Sequence, residues 1–261
     1  MSDLSSVFSR CRAEGRAALV GYLPAGYPTQ ADSELAVATL AEAGADIVEV
    51  GVPYTDPLMD GPVIQDAADE ALRSGFRFAG LFRCVEAARA AGAVPVVMSY
   101  WNPVLRYGPD RFAADLVSAG GAGLITPDLI PDEAGGWTSA AKNHGLDPIF
   151  LVAPSSTDAR LAMTTGACGG FVYAASTMGV TGARTSVGGG ARLLVERTRA
   201  VTDLPVCVGL GVSTGEQAAE VASFADGVIV GSALVAALRD DPTRQGLRHL
   251  TEELARGVRG R

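Results

Sequence analysis

The chain has 261 residues, of which 48% are hydrophobic and 19% charged, a composition typical of a folded globular protein with a large core. Its formal net charge is −8 at pH 7, and its arginines are scattered except for a small group at the C-terminus. This charge argues against a nucleic-acid-binding protein, which usually carries a basic field or face. No uninterrupted apolar stretch reaches the roughly 18 residues that a membrane-spanning helix needs.

Short apolar runs rich in β-branched residues recur along the chain and predict eight strands. In chain order they cover residues 18–24, 46–50, 94–99, 122–126, 148–152, 170–174, 205–209 and 227–230. Most are apolar on both faces, as parallel strands are when helices cover them. The Ala-, Leu- and Glu-rich stretches between them, such as 30–43 and 215–222, predict amphipathic helices. Residues 4–14 predict an additional N-terminal helix that closes the bottom of the barrel, and residues 242–258 a final outer helix.

Eight alternating strands and helices without a linker predict an α/β fold, a (β/α)8 TIM barrel that occupies residues 1–261 as one domain. An open doubly wound sheet is the alternative. It usually carries a glycine fingerprint after the first strand, but here that strand ends in LPAG at residues 23–26. The closed barrel is therefore favoured.

Cysteine spacing and the N-terminus indicate the compartment. The four cysteines have no CxxC or CxxH spacing, so we expect reduced, structural thiols. The N-terminus has no basic region followed by an apolar run, which argues against a secretion signal. These features predict a cytoplasmic protein.

Glu49 interrupts an otherwise apolar strand, IVEVG at residues 47–51. If Val48 and Val50 face the helices, Glu49 faces the barrel interior. A buried carboxylate costs several kcal/mol of desolvation unless it is paired. Two interpretations stay open: a structural salt bridge, or a general acid/base whose pKa burial raises.

The loop after this strand, at residues 53–62, is rich in turn formers and carries Asp56 and Asp60. Active sites of barrel enzymes lie at the carboxyl ends of the strands, where this loop begins. Asp60 precedes Gly61 and Pro62. It is therefore either a second functional carboxylate or a cap for the next helix.

Glycines follow the last two predicted strands, in VGLGVS at residues 208–213 and VGSA at residues 230–233. In many barrels these two loops bind phosphate through backbone N–H groups and a helix N-terminus. Each glycine pair alone is equally typical of a tight turn. Together, at these two strand ends, they predict a phosphate site.

Other residue types limit the chemistry. The only lysine, Lys142, lies in a predicted exposed helix end, so no lysine is available for a Schiff base at a strand end. His144 and His249 both fall in the outer helical layer, which argues against a histidine metal site. We therefore expect no metal and an acid–base chemistry carried by carboxylates.

A loop of small residues follows the sixth predicted strand, at residues 176–185, and continues to Gly190. Such a loop at the catalytic face predicts a mobile lid that excludes water. The alternative is a loop without function.

The run VEVGVPYTDP at residues 48–57, continued by DGPVIQ at residues 60–65, resembles the signature of the tryptophan synthase α subunits. The similarity extends over essentially the whole chain. It includes residues 98–103, 127–129 and 179–182 and both glycine motifs. The resemblance implies a lyase that cleaves indole-3-glycerol phosphate to indole and D-glyceraldehyde 3-phosphate, without a cofactor in this chain.

The resemblance also implies the roles of individual residues. Glu49 matches the general acid/base, Asp60 the carboxylate that accepts a hydrogen bond from the indole N–H, and Tyr173 a catalytic-site tyrosine near the glycerol chain. The matching substrate-binding positions are Tyr22 and Met98 in the indole pocket, the lid threonine Thr181, and Gly182, Gly211, Gly231 and Ser232 around the phosphate. Tyr22 departs from the family pattern, since phenylalanine is frequent there.

The family passes indole to a β subunit that holds pyridoxal phosphate, in an α2β2 heterotetramer. The resemblance places the contact at Pro53, Asp56, Pro57, Asn102 and Asp128. Three alternatives stay open: a stand-alone indole-3-glycerol-phosphate lyase, a sugar-phosphate isomerase barrel, and a catalytically inactive, phosphate-binding regulatory barrel.

Overall fold

A computed structural model describes residues 3–175, 189–209 and 211–260, and eight parallel strands in it form a closed barrel. Each strand pairs with the next along the chain, and β1 pairs with β8 to close the ring. The strands are β1 Ala18–Pro24, β2 Ile47–Gly51, β3 Val94–Met98, β4 Gly123–Thr126, β5 Asp147–Val152, β6 Val172–Ala175, β7 Val206–Gly209 and β8 Gly227–Val230. The predicted (β/α)8 barrel is confirmed, and the strand ends differ from the predictions by at most two residues.

Helices surround the barrel and one closes its base. They are α1 Asp3–Ala13, α2 Gln30–Glu42, α3 Pro62–Arg73, α4 Phe78–Ala90, α5 Trp101–Tyr107, α6 Pro109–Ser118, α7 Gly135–His144, α8 Asp158–Ala167, α9 Gly189–Arg199, α10 Gly215–Ala222, α11 Ser232–Asp240 and α12 Gln245–Arg259. Three of them begin with a threonine cap, since the side chains of Thr29, Thr157 and Thr214 accept a backbone N–H of the first turn. The additional N-terminal helix, α1, is confirmed.

Two helix boundaries differ from the predictions by more than one residue. The final helix begins at Gln245 rather than at residue 242, because the Asp241 carboxylate accepts the backbone N–H groups of Thr243 and Gly246 and holds a turn. The predicted lid loop also ends earlier than expected. Gly189 and Gly190 belong to the first turn of α9, and residues 176–188 lie outside the described part of the chain.

The strands separate two apolar cores. The inner core fills the barrel, and Leu4, Val7, Phe8 and Cys11 of α1 cover its base. The outer core lies between the strands and the helices and includes Val48 and Val50. Ile47 belongs to the inner core, so the alternation along β2 directs Glu49 into the barrel, as the sequence predicted.

A buried ion pair joins β1 and β2 at the bottom of the barrel. Arg16 donates two hydrogen bonds to Asp46, of 2.7 and 2.8 Å, and Asp46 also accepts the Leu19 N–H at 3.0 Å. Burial opposes ionisation of Asp46, but these hydrogen bonds hold the pKa of its carboxyl below the usual value. The pair lies at the end of the barrel opposite the expected site.

The state of the cysteines bears on the compartment of the protein, and the length of the helices on whether one could cross a membrane. Cys11, Cys84 and Cys207 are buried, Cys168 is half-buried, and all four are free thiols. None of the helices in the described ranges is long and apolar enough to cross a membrane.

Candidate active site

Glu49 lies in the barrel interior with 1% of its surface exposed. Its Oε2 atom is buried and has no hydrogen-bond partner among the described residues. Burial, and then the nearby charge of Asp60, raise the pKa of Glu49 to about 8. No salt bridge involves it among the described residues, so the interpretation of Glu49 as a structural ion pair is not supported. The carboxyl is neutral at pH 7 and has a proton to give.

Asp60 lies in the loop between β2 and α3, where the barrel opens. It does not cap α3, because the cap residue is Gly61 and no side chain bonds the first turn. Burial raises the pKa of Asp60 to about 6, although a hydrogen bond with Tyr100 opposes the shift. Asp60 is therefore mostly ionised at pH 7, while Glu49 is mostly protonated. Two carboxyls whose environments separate their pKa values in this way suit a division of acid and base roles.

Tyr100 is a site residue that the sequence analysis did not identify. It lies at the end of the loop after β3, where it precedes α5. Its hydroxyl accepts the backbone N–H groups of Leu58 and Met59, both at 3.1 Å, and donates to Asp60. Burial and the Asp60 charge raise the pKa of Tyr100 to about 12, so the hydroxyl keeps its proton. Tyr100 thus holds both the backbone of the loop and the carboxylate of Asp60 in place.

Tyr22 on β1 and Tyr173 on β6 are both buried and face the two carboxyls. Each ring occupies space that a glycine leaves open, since a Cβ on Gly51 would collide with Tyr22 and one on Gly209 with Tyr173. Burial and the charges of the two carboxyls raise the pKa of both tyrosines well above 10. Both are therefore neutral hydrogen-bond donors.

Met98 is the last residue of β3 and pairs in register with Gly51 of β2. It is half-buried and packs against both cores. It lies near the mouth, on the strand next to that of Glu49, and its place in the wall of the pocket stays a prediction.

The two glycine motifs lie at the carboxyl ends of β7 and β8. Gly211 has φ +70°, a conformation that favours glycine. Gly231 precedes α11, whose first residue is Ser232 and whose first turn has no side-chain cap. The N–H of Leu234 in this turn donates to the Gly231 carbonyl, so the backbone N–H groups that an anion would meet are those of Ser232 and Ala233. Thr181 and Gly182 lie outside the described residues.

Four of the five predicted contact residues lie in the loops after β2 and β4, and Asn102 lies in the first turn of α5, which follows β3. Asp56, Asn102 and Asp128 are exposed, Pro57 is half-buried, and Pro53 is buried, so Pro53 supports the loop rather than presenting surface. Asp128 accepts the Trp101 N–H at 2.8 Å, which ties the loop after β4 to the start of α5.

Two exposed leucines border this surface and were not predicted. Leu58 has 74% of its surface exposed and Leu105 has 54%. Amino-acid type alone gave no signal for them, because a leucine in a loop or a short helix is more often buried.

The other residues considered for chemistry lie on the outside. Lys142 is exposed in α7, and His144 and His249 lie in α7 and α12. Within the described ranges no group of three or more His, Cys, Asp or Glu side chains is arranged to hold a metal ion.

A closed barrel whose mouth holds a protonated glutamate, an ionised aspartate and two neutral tyrosines defines a (β/α)8-barrel enzyme equipped for carboxyl acid–base chemistry. Comparisons with known proteins identify its family. The family model of the tryptophan synthase alpha chain matches residues 8–258. The chain belongs to this family. It is a carbon–carbon lyase of tryptophan biosynthesis that cleaves indole-3-glycerol phosphate.

The similarity to individual relatives covers nearly the full length. A tryptophan synthase alpha chain of Mycobacterium intracellulare is 62% identical over 260 residues, 100% of this chain and 96% of the relative. That of Nocardia farcinica is 60% identical over 258 residues, 99% of this chain and 96% of the relative. Among solved structures, Mycobacterium tuberculosis tryptophan synthase superposes with a TM-score of 0.95 at 60% identity, covering 99% and 98% of the two chains. The alpha subunit from Legionella pneumophila superposes with a TM-score of 0.90 at 30% identity, covering 100% of both.

Proposed function

We propose that Glu49 is the general acid and base of the cleavage. The observation that carries this proposal is a fully buried carboxyl with an unpaired oxygen and a pKa of about 8, at the mouth of the barrel. The neutral Glu49 donates its proton to C3 of the indole ring. The resulting carboxylate then takes the proton of the glycerol hydroxyl next to the breaking bond. The electron pair of the carbon–carbon bond returns to the ring, which releases indole and glyceraldehyde 3-phosphate.

Asp60 stabilises the positive charge that protonation at C3 places on the ring. Its carboxylate, with a pKa of about 6, accepts the hydrogen bond of the indole N–H. Tyr100 keeps this carboxylate in place through its own hydrogen bond. Electrostatic stabilisation of this kind increases the rate by a factor on the order of 10²–10³.

The remaining site residues bind the substrate. Tyr22 and Met98 contact the indole ring, and the hydroxyl of Tyr173 lies toward the glycerol chain. The phosphate occupies the end of the site formed by Gly211, Gly231 and Ser232. The backbone N–H groups of Ser232 and Ala233, at the start of α11, offset the dianion in an acidic protein. Thr181 and Gly182 are also assigned to substrate binding, on the basis of the family resemblance alone.

The proposed chemistry needs no cofactor in this chain, because the protonated indole ring itself accepts the electron pair. Pyridoxal phosphate belongs to the partner, a tryptophan synthase β subunit in an α2β2 assembly. The partner contacts the loop that carries Asp56 and Pro57, the first turn of α5 with Asn102, and the loop with Asp128, and the buried Pro53 supports the first of these loops. The free thiols accord with a reducing compartment, and we place the enzyme in the cytoplasm.

Indole release from indole-3-glycerol phosphate, measured with and without a tryptophan synthase β subunit, tests this function. We expect slow release by the chain alone and faster release with the partner. Fast release that the partner does not change would instead indicate a stand-alone lyase. No release under either condition would contradict the proposed roles of Glu49 and Asp60 and leave an inactive phosphate-binding barrel.

A further inference from the structure

The loop that carries Asp60 is held by side chains rather than by secondary structure. Within the described parts of the chain, residues 53–60 make no backbone–backbone hydrogen bond with each other or with any other residue. The backbone on either side is anchored, since the Val52 N–H donates to the Met98 carbonyl and the first turn of α3 closes onto the Gly61 carbonyl. A carboxylate on such a segment has a defined position only where other groups supply the missing hydrogen bonds.

Two side chains supply these bonds to the last three residues of the segment. The Tyr100 hydroxyl accepts the backbone N–H groups of Leu58 and Met59, both at 3.1 Å. From the other side, Nε2 of Gln65 donates to the backbone carbonyl oxygen of Asp60 at 2.6 Å. Because a peptide bond is planar, this hydrogen bond restrains the whole peptide unit that follows Asp60, and with it the ψ dihedral of Asp60. The direction of the Asp60 side chain therefore depends on Gln65.

The hydrogen bond of Gln65 does not stabilise the start of α3. Gly61 is the cap residue and Pro62 the first residue of the helix, and the Gln65 backbone N–H already donates to the Gly61 carbonyl at 3.0 Å. A capping side chain accepts an N–H group of the first turn, whereas the Gln65 amide donates to a carbonyl that precedes the helix. Gln65 is exposed, so restraining its side chain costs conformational entropy. What the bond gains is a fixed backbone at Asp60.

We propose that Gln65 is a positioning residue for Asp60. Its side-chain amide holds the Asp60 carbonyl from the α3 side while Tyr100 holds the two preceding residues, so that the Asp60 carboxylate faces the indole N–H in a fixed direction. A carboxylate that is already oriented stabilises the charge developing on the ring without reorganisation during the reaction. The inference rests on the proposed role of Asp60 and deepens it.

The test is a double-mutant cycle of Gln65→Met and Asp60→Ala, with kcat/KM for indole formation as the readout. Methionine keeps the length of the glutamine side chain and loses the amide donor. In otherwise wild-type protein we expect Gln65→Met to lower kcat/KM about three- to tenfold, as the loss of one hydrogen bond does. In Asp60→Ala we expect no further loss, because the carboxylate that Gln65 positions is absent.

Two outcomes of the cycle would overturn the proposal. Equal losses in the two backgrounds would show that Gln65 acts on the fold and not through the Asp60 carboxylate. No loss in otherwise wild-type protein would show that Tyr100 alone positions Asp60. An excess of enzyme over substrate makes the slow turnover of Asp60→Ala measurable.

Two further variants exclude trivial causes. Gln245→Met is the matched control, since it removes an exposed glutamine amide from the first residue of α12, and it should leave kcat/KM unchanged. Gln65→Glu keeps the shape of the side chain, but an ionised carboxylate has only acceptor oxygens to present to the Asp60 carbonyl. It should lower kcat/KM at least as much as Gln65→Met, and a wild-type rate in Gln65→Glu would overturn the proposal.

Hydrogen exchange separates this inference from the proposed function. The amide hydrogens of Leu58 and Met59 are bonded to Tyr100, so they exchange when the loop opens. Without the Gln65 bond the loop should open more often, and we expect these amides to exchange about three- to tenfold faster in Gln65→Met. Unchanged exchange would overturn the inference. If exchange becomes faster but Asp60→Ala retains full turnover, the proposed role of Asp60 fails while the hydrogen bond of Gln65 stands.

Discussion

Ionised Asp60 lies close enough to Glu49 for its charge to raise the pKa of the Glu49 carboxyl, in addition to the larger effect of burial. Asp60 itself has a pKa of about 6 and Glu49 one of about 8. The pair is therefore singly protonated over the pH range between these values. In that state one member is an acid and the other an acceptor, which is the arrangement that the cleavage requires.

The pH dependence of indole release follows from these two pKa values. Asp60 must be ionised, so kcat/KM rises with pH through about 6, and Glu49 must be protonated, so kcat/KM falls as pH rises through about 8. We expect a bell-shaped profile with its maximum between these values. The measurement is kcat/KM for indole formation, which reports the pKa values of the enzyme without substrate, with macroscopic pKa values assigned to the pair. A rate that still increases above pH 9 would contradict the acid role of Glu49.

Tyr100→Phe should affect both the stability and the acidic limb of the profile. The substitution leaves the N–H groups of Leu58 and Met59 without their acceptor and removes the donor to Asp60. We expect a loss of about 1–3 kcal/mol in the free energy of unfolding, measured in urea. The acidic limb should move upward, because the pKa of Asp60 is no longer lowered by this bond.

Tyr54→Phe is the control for that prediction. Among the described residues, the one hydrogen bond of the Tyr54 hydroxyl is that which it accepts from the exposed Asn102 at 3.3 Å, so its removal should cost little. Equal effects of the two substitutions would show that Tyr100 has no special connection to Asp60.

Asp46→Asn should destabilise the barrel without acting on the chemistry. It removes the buried carboxylate from Arg16, whose remaining acidic partner is the exposed Glu14. Breaking a buried pair costs about 3–5 kcal/mol in the free energy of unfolding, and the remaining contact with Glu14 places the expected loss at the lower end of that range. Because the pKa of Asp46 is lowered on folding, its stabilisation is present above the unfolded pKa and is lost as pH falls through the folded pKa.

The comparison is Glu42→Gln, which breaks an exposed ion pair with Arg248 and should cost about 0–1 kcal/mol. Both variants are unfolded in urea at pH 7. A loss below 1 kcal/mol for Asp46→Asn would mean that the ion pair does not hold the base of the barrel.

Leu58→Asp should weaken binding to the β subunit. Leu58 is the most exposed large apolar side chain among the described residues, and it belongs to the loop that carries Asp56 and Asp60. Truncation of an apolar anchor in an interface costs about 2 kcal/mol or more, so we expect the Kd to increase at least about thirtyfold. Calorimetric titration with the β subunit measures it. Val201→Asp is the control, since Val201 is exposed at the opposite end of the barrel, before β7. An equal increase in Kd for Leu58→Asp and Val201→Asp would show that the contact with the β subunit lies elsewhere.

The fold was largely predictable because parallel strands buried on both faces must be apolar, and a closed barrel repeats that signal eight times. Glu49 was predictable for the same reason, as the one charge on the inward face of its strand. The start of α12 was not, because it depends on which backbone groups the Asp241 carboxylate accepts. Propensity does not distinguish that turn from a helix.

The role of Tyr100 could not be predicted from the sequence, although the residue lies within the stretch 98–103 that is part of the family resemblance. Its hydroxyl joins groups about 40 residues away, at Leu58, Met59 and Asp60, and no local pattern encodes such a contact. The exposure of Leu58 and Leu105 is likewise a property of the folded mouth. The phosphate site remains a prediction, because the positions of Thr181 and Gly182 lie outside the described residues.

The most direct test of the central claim is the rate of indole formation by Glu49→Gln, compared with Glu42→Gln on the outer surface. Glutamine keeps the shape of the neutral acid but has no proton to give, so the protein should fold and bind substrate as before. We predict a loss of about 10²–10⁴-fold in kcat, typical of a removed general acid/base. Turnover equal to that of Glu42→Gln would contradict the assignment of the acid–base role to Glu49.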